Sequence, residues 1–135
     1  MTFSPPAVTI RTLGSGHLGT DRREHHRAGA VRVPLRLAES CSRADRAIAA
    51  RAWPTLRLDP GRAVRPLDGS PPPEGEHPSA LAGSAAAAAA AGDTAARDDL
   101  LDRATSLDED RPTYYGSAVT ALARVMLTTR RLGGC

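Results

Sequence analysis

A chain of 135 residues has room for one small domain. Only 3% of its residues are aromatic and many are alanine, so the core is expected to be loosely filled unless a partner covers one side. The formal net charge of +3 is uneven, since residues 1–66 carry 12 arginines against 5 acids (+7) and residues 67–135 carry 6 arginines against 10 acids (−4). The arginines are scattered and lack an aromatic stacking platform, so nucleic acid is not an expected partner, and no apolar stretch is long enough to span a membrane.

The first 27 residues are predicted to be an irregular, disordered leader. The pair Pro5-Pro6, the glycine-containing turn at 14–16 and the charged run at 21–27 leave no helical or strand periodicity. The segment begins without an apolar run of signal-peptide length, so the protein as written is expected to be cytoplasmic.

Residues 28–135 are predicted to be helical, and two helices precede a proline-rich loop at 69–78. The first helix tolerates Pro34, because a proline fits the first turn of a helix. Ser42 is the expected N-cap of the second helix, which the sequence at 59–61 ends. The residues predicted to share one face are Val31, Leu35 and Ala38 in the first helix, with Leu37 beside them, and Ala44, Ile48, Ala52 and Leu56 in the second.

Three further helices follow the loop. Seven consecutive alanines favour a third helix at 79–91, which Gly92 ends. Asp93 or Thr94 caps the fourth helix, and the short linker predicts that the third and fourth helices form an antiparallel hairpin. The fifth helix is predicted at 116–130. The residues predicted to face inward are Ala96, Leu100, Leu101, Ala104 and Leu107 in the fourth helix and Ala118, Leu122, Val125 and Met126 in the fifth. The predicted fold class is therefore all-α, built from successive antiparallel helical hairpins.

None of the polar clusters has the spacing of a metal or catalytic site. The histidines lack a cysteine or carboxylate at ligand spacing and are interpreted as surface residues. Two acidic clusters offer paired carboxylates, but no apolar neighbours in sequence would raise a pKa in either, and the first of them, at 98–102, is interpreted as a solvated face of its helix. The two cysteines are isolated, and a disulfide between them is left open. The histidines are His17, His25, His26 and His77, the two acidic clusters are Asp98, Asp99 and Asp102 and then Asp108, Glu109 and Asp110, and the cysteines are Cys41 and Cys135. The prediction is that the chain has no catalytic residue, no metal and no cofactor.

Two segments depart from this background. The first, at 30–38, embeds Arg32 and a proline in an apolar stretch, and a buried arginine usually needs an anionic partner. The second, at 112–116, places Tyr114 and Tyr115 at the entrance of a helix. Paired tyrosines in this position can line a sugar-binding cleft, or they can fill the gap between two hairpins.

Both segments resemble parts of glycoside hydrolase family eight, the endoglucanase and cellulase family. The first is similar to the family's Tyr-Asp-Ala-x-Arg-x-Pro motif, with Arg32 and Pro34 at the arginine and the proline. The second, with the apolar residues that follow it, looks like the family's final helix. The resemblance covers residues 28–135.

This resemblance implies an incomplete piece of an (α/α)6 toroid whose family members hydrolyse β-1,4-glucans with inversion. Inversion takes one carboxylic acid and one carboxylate base on opposite sides of the bond. The motif's aspartate falls at Gly29 in this sequence, and the region that supplies the general acid in the family is not in this chain. The implied function is a degenerate or truncated glycoside hydrolase fragment without activity, and whether the ancestral enzyme was secreted is left open. Arg32 is the cleft-side residue that the resemblance carries over, with Tyr114 and Tyr115 as weaker candidates for contact with a β-glucan.

The alternative interpretation is a small helical protein-interaction module that docks on a partner through its alanine-rich helix. A module of this kind melts cooperatively, whereas a fragment that lacks its other hairpins is expected to be molten and to aggregate. A third interpretation, weak nucleic-acid binding by the arginine-rich half, predicts salt-sensitive retention of duplex DNA.

Overall fold

A computed structural model describes residues 32–63 and 75–132 and contains five helices in that part of the chain. The helices are α1 (Arg32–Glu39), α2 (Arg43–Leu56), α3 (Pro78–Ala90), α4 (Thr94–Asp110) and α5 (Tyr114–Thr128). The described residues include no strand, so the all-α prediction is confirmed. The predicted leader at 1–27 and the open question of a disulfide to Cys135 fall outside the described residues. The relation to a toroid stays a prediction.

The helix α3 lies at the centre of the fold and contacts each of the four other helices. Every residue from Pro78 to Ala88 is buried, so this helix has no solvent-facing side over most of its length. Alanine suits this position because its side chain adds little to the distance between packed helix axes, so neighbours can approach closely on all sides. Over this length the chain's own helices surround the alanine-rich helix, so its residues are not exposed to a partner, and the interaction-module alternative stays a prediction.

The core around α3 contains few large side chains. The largest side chains that are fully buried in the described residues are those of Leu81 and Leu101. Leu35 and Leu100 are also buried, and Trp53 packs against the edge of the same cluster. Because burial energy scales with apolar area, an alanine-rich core gains less per residue than a leucine-rich one.

The helices α3 and α4 form the predicted antiparallel hairpin, with the most extensive contact of any helix pair. Gly92 ends α3 with a φ of 81°, a conformation that glycine adopts without a Cβ clash. The Asp93 side chain then accepts a hydrogen bond from the Ala96 amide and caps α4. The inner face of α4 is also as predicted, since Leu100, Leu101 and Ala104 are buried.

The helix α2 begins where the sequence predicts, but its inner face is different. The Ser42 hydroxyl accepts a hydrogen bond of 3.3 Å from the Asp45 amide, as expected of an N-cap. The buried residue of this helix is Ala49, whereas Ile48 is 52% exposed, so the predicted inner face is wrong. Alanine occurs on several faces of α2, so the apolar pattern alone does not select one of them.

The helix α5 also presents a different face to the core from the one predicted. Its buried residues are Gly116, Thr120 and Ala123, while Leu122 is 46% and Val125 is 36% exposed. The prediction that Ala118, Leu122 and Val125 face inward is wrong, although Met126 does pack against the core. The face with small residues is the one that fits closely against α3 and α4.

Within residues 32–63 and 75–132, no helix combines the length and the apolar character needed to cross a bilayer.

Candidate functional site

Two of the three predicted site residues meet at one end of the helix bundle. The Arg32 Nε donates a hydrogen bond of 2.8 Å to the Tyr115 hydroxyl, although 83 residues separate the two in sequence. The Arg32 guanidinium carbon also lies 4.9 Å from the centre of the Tyr115 ring, within cation–π range. Arg32 is exposed rather than buried, and its partner is a phenol rather than the expected anion. Tyr114 does not join this pair, because its side chain is 95% exposed.

His77 lies beside this pair and caps α3. Its ring centre is 6.4 Å from that of Tyr115. Its Nδ1 accepts a hydrogen bond of 3.2 Å from the Ser79 amide and lies 2.6 Å from the Ser79 hydroxyl oxygen. Burial lowers the pKa of His77 from its ordinary value, and the nearby Asp108 carboxylate offsets part of that shift. An N-cap imidazole accepts through its Nδ1 lone pair only when that nitrogen is unprotonated, so the lowered pKa and the cap favour the same neutral state.

The interpretation of His77 as a surface histidine is therefore wrong. The signal that could have identified it is the proline that follows, since Pro78 takes the first position of α3 and puts His77 at the N-cap. The other three histidines lie outside the described residues.

Asp108 links the C-terminal end of α4 to the start of α5 through a hydrogen bond. Its carboxylate accepts a hydrogen bond of 2.9 Å from the Ser117 hydroxyl. A Cβ at Gly116 would lie 2.7 Å from the Thr113 hydroxyl, 2.9 Å from Pro78 and 3.2 Å from Asp108, so only glycine fits this position. Asp108 is half-buried here, unlike its exposed neighbours Glu109 and Asp110.

The other acidic cluster is on the surface, as predicted. Asp98 is hydrogen-bonded to Arg97, which lowers the pKa of this carboxyl. Asp99 and Asp102 pair with Arg103 and Arg124 at distances of 3.9 and 2.9 Å. These are exposed ion pairs of the kind that contributes little to stability.

The polar cluster around Tyr115 has little catalytic potential. The contacts described above include one carboxylate, that of Asp108, whereas inverting hydrolysis of a sugar linkage needs two opposed carboxyl groups. The Ser79 side chain is fully buried, so its contact with His77 does not present a nucleophile to a substrate. The described residues also contain no group of three histidine, cysteine or acidic side chains that could hold a metal ion. The cluster joins the N-terminal ends of α1, α3 and α5, and its geometry fits this structural role better than that of a reaction centre.

A second surface feature, the outward face of α5, begins beside this cluster. We define it as the exposed residues of the helix that point away from α3, namely Tyr114, Ala118, Ala121, Leu122, Val125 and Thr128. The face carries no charge along the whole helix, because the one arginine of α5, Arg124, turns aside to bind Asp102 and the Thr105 hydroxyl on α4. Single exposed apolar residues are ordinary, but a continuous uncharged helix face is typical of a docking surface.

Comparison of the chain with models of known protein families, with curated proteins and with solved structures finds no match.

Proposed function

We propose that this protein is a small helical interaction module that pairs with a second copy of itself through the outward face of α5. The observation that carries the proposal is the uncharged face itself, with Leu122 46% and Val125 36% exposed. Since α3 is enclosed by the chain's own helices, the fold closes around its core without a partner, and α5 keeps its second apolar side available for one.

Charge complementarity favours a second copy in an antiparallel arrangement. The end of α4, with exposed Glu109 and Asp110, precedes the N-terminal end of α5, where Arg111 cancels part of this charge. Arg130 and Arg131 follow the other end of α5, and both are exposed. A two-fold antiparallel pairing of α5 helices places the basic end of one copy beside the acidic end of the other, twice over.

The small residues of the outward face support the same arrangement. Ala118 and Ala121 lie one turn apart and are exposed, so two helices can approach closely along this line. Leu122 and Val125 lie beside them and supply the apolar area that pairing would bury. No charge is desolvated at the centre of such a contact, which removes the largest cost of forming it.

Sedimentation velocity on the full chain tests this proposal. We expect the wild type to be a dimer and Leu122→Glu to be a monomer with unchanged helical circular dichroism, because the substitution would bury a charge in the contact. Ile48→Glu is the matched control, since Ile48 is 52% exposed on α2 and lies outside the proposed contact. The control is expected to remain a dimer. A wild type that stays monomeric, or an Ile48→Glu variant that dissociates equally, contradicts the proposal.

A second candidate function is the degenerate glycoside hydrolase fragment, which one observation favours. Arg32 and Tyr115 belong to the two segments that resemble family eight, and they are in direct contact. A remnant of a sugar-binding cleft would retain weak affinity for a β-1,4-glucan oligosaccharide and would lose it in Arg32→Ala and Tyr115→Ala. Titration calorimetry with cellotetraose checks this, and reducing-sugar release from cellulose by the wild type would contradict the absence of activity.

A further inference from the structure

The opposite end of the helix bundle carries a groove that is separate from both surfaces described above. Its volume is about 510 Å³, within the range of sites for small organic molecules. Alanines of α1, α2 and α3 form its floor together with Met126 and Leu127 of α5, and three arginines, Arg43, Arg46 and Arg97, stand at its walls. Among the described residues, no acidic side chain lines it. An apolar floor with cationic walls is the composition that holds an anionic group on an apolar body.

The three arginines differ in how they are held. Arg97 is fixed in place, because its Nε bonds to Asp98 at 2.8 Å and its Nη1 donates to the Leu127 carbonyl at 3.4 Å. Arg43 and Arg46 form no ion pair with any residue of the described part of the chain. They lie in the first turn of α2, where the positive end of the helix dipole disfavours a cation. Asp45 is the one acidic residue of this turn, so the turn carries a net positive charge, which an anion in the groove would balance.

Backbone groups already satisfy three carbonyl groups at the end of α3 that borders the groove. Those of Ala87, Ala88 and Ala89 accept hydrogen bonds from the amides of residues 91, 93 and 92. Capping of α3 by Arg43 and Arg46 is therefore not needed at these three carbonyl groups.

We infer that this groove binds a small organic anion, a carboxylate or phosphate attached to an apolar body. Arg43 and Arg46 are the anion-binding residues in this assignment, and the alanine floor with Met126 receives the apolar part. Arginine suits this role because its planar guanidinium donates two parallel hydrogen bonds to a carboxylate or phosphate. A small ligand fits better than nucleic acid, since the positive wall is confined to one groove and offers no stacking platform.

The inference is tested with the full chain and 2-naphthoate as the probe, with naphthalene-2-methanol as its uncharged counterpart. Titration calorimetry is expected to show one saturable site per chain for 2-naphthoate and none for the alcohol. The double variant Arg43→Gln/Arg46→Gln is expected to weaken binding by about tenfold or more, since two charge-assisted hydrogen bonds are lost. Arg57→Gln is the matched control, because it removes one positive charge at the other end of α2 and should leave the affinity unchanged.

Three outcomes overturn the inference. One is the absence of saturable 2-naphthoate binding by the wild type. Another is equal loss of affinity in the double variant and in Arg57→Gln, which would reflect net charge alone. The last is salt-sensitive retention of duplex DNA that depends on Arg43 and Arg46 while 2-naphthoate does not bind, which would assign the arginines to a nucleic acid. Unchanged thermal melting of the variants shows that each result concerns binding and not folding.

Discussion

The helices α3 and α5 are both rich in small and apolar residues, but the fold uses them in different ways. α3 is buried on every side from Pro78 to Ala88, while α5 buries one side and exposes another of similar character. The difference follows from their positions, since α3 has four helices around it and α5 lies at the edge of the bundle. An apolar residue on α3 therefore serves the core, whereas on α5 it serves either the core or an external contact.

The largest effect that separates the two helices is expected from added volume. Ala86→Leu in α3 inserts a large side chain at a position with no exposed area, and we expect it to lower the free energy of unfolding by about 1–3 kcal/mol. In the Leu122→Glu background, which is expected to be monomeric, Ala121→Leu makes the same change on the exposed side of α5 and should alter stability by less than about 0.5 kcal/mol. Urea unfolding followed by circular dichroism measures both. Equal losses in the two variants would contradict the central position of α3.

A second prediction sharpens the difference between the two sides of α5. Gly116→Ala is expected to destabilise the protein by about 1–3 kcal/mol through overpacking, although alanine is the better helix former. The added Cβ would press on Thr113, whose hydroxyl caps this helix, and on Pro78 at the start of α3. In the Leu122→Glu background, which is expected to be monomeric, Ala118→Gly on the exposed side tests helix propensity alone and should cost about 1 kcal/mol. A gain of stability in Gly116→Ala would show that this side of α5 is less tightly packed than described.

A third, smaller effect concerns a buried polar group on the inner side of α5. The Thr120 hydroxyl is buried without a hydrogen-bond partner among the described residues. Replacing it with valine removes an unsatisfied group at nearly constant shape, so Thr120→Val should raise the free energy of unfolding by about 1 kcal/mol. Thr55→Val, at an exposed position of α2, is the control and should change stability little. A thermal melt that places Thr120→Val below the wild type would indicate that the hydroxyl is satisfied in solution.

The smallest effect is expected from pH. Since burial lowers the pKa of His77 in the fold, the folded chain favours a neutral imidazole more than the unfolded chain does. The resulting stability is fully present above the ordinary histidine pKa and is lost as the pH falls through the lower pKa of the folded state. Asp108 and Tyr115 are the titratable groups that face His77, and only Asp108 opposes the shift.

The variant His77→Asn isolates this contribution from those of the other histidines. Asparagine caps a helix without titrating in this range, so the variant should lose less stability than the wild type on acidification. Parallel pH series of urea unfolding measure the difference. If the free energies of unfolding of the two proteins fall equally with pH, the titration of His77 does not contribute to the acid sensitivity of the fold.

The sequence was sufficient for the class of fold and for the boundaries of most helices, because those depend on local signals. The cap at Ser42, the glycine at 92 and the period of the α4 residues are each specified within a few neighbouring positions. The inner faces of α2 and α5 were not predictable in this way. Both helices carry small apolar residues on more than one side, so the choice of face depends on which neighbour packs closely, and that is a tertiary property.

The candidate site was partly predictable for the same reason. Arg32 and Tyr115 stand out in the sequence as unusual residues, and they do meet in the fold. Tyr114 was grouped with Tyr115 on adjacency alone, but successive residues on a helix point about 100° apart, and Tyr114 faces solvent. In the groove, Arg43 and Arg46 lie one turn apart on α2, but Arg97 of α4 joins them only in three dimensions, so the sequence did not reveal the site.

The most direct test of self-pairing through α5 is a mixing experiment with two charge-reversal variants. Arg130→Glu/Arg131→Glu and Glu109→Arg/Asp110→Arg should each be monomeric, because each places like charges at both ends of an antiparallel contact. Mixed in equal amounts they should form a heterodimer by sedimentation velocity, since both ends then carry opposite charges. Two variants that remain monomeric on mixing, beside a wild type that is a dimer, would contradict the antiparallel pairing.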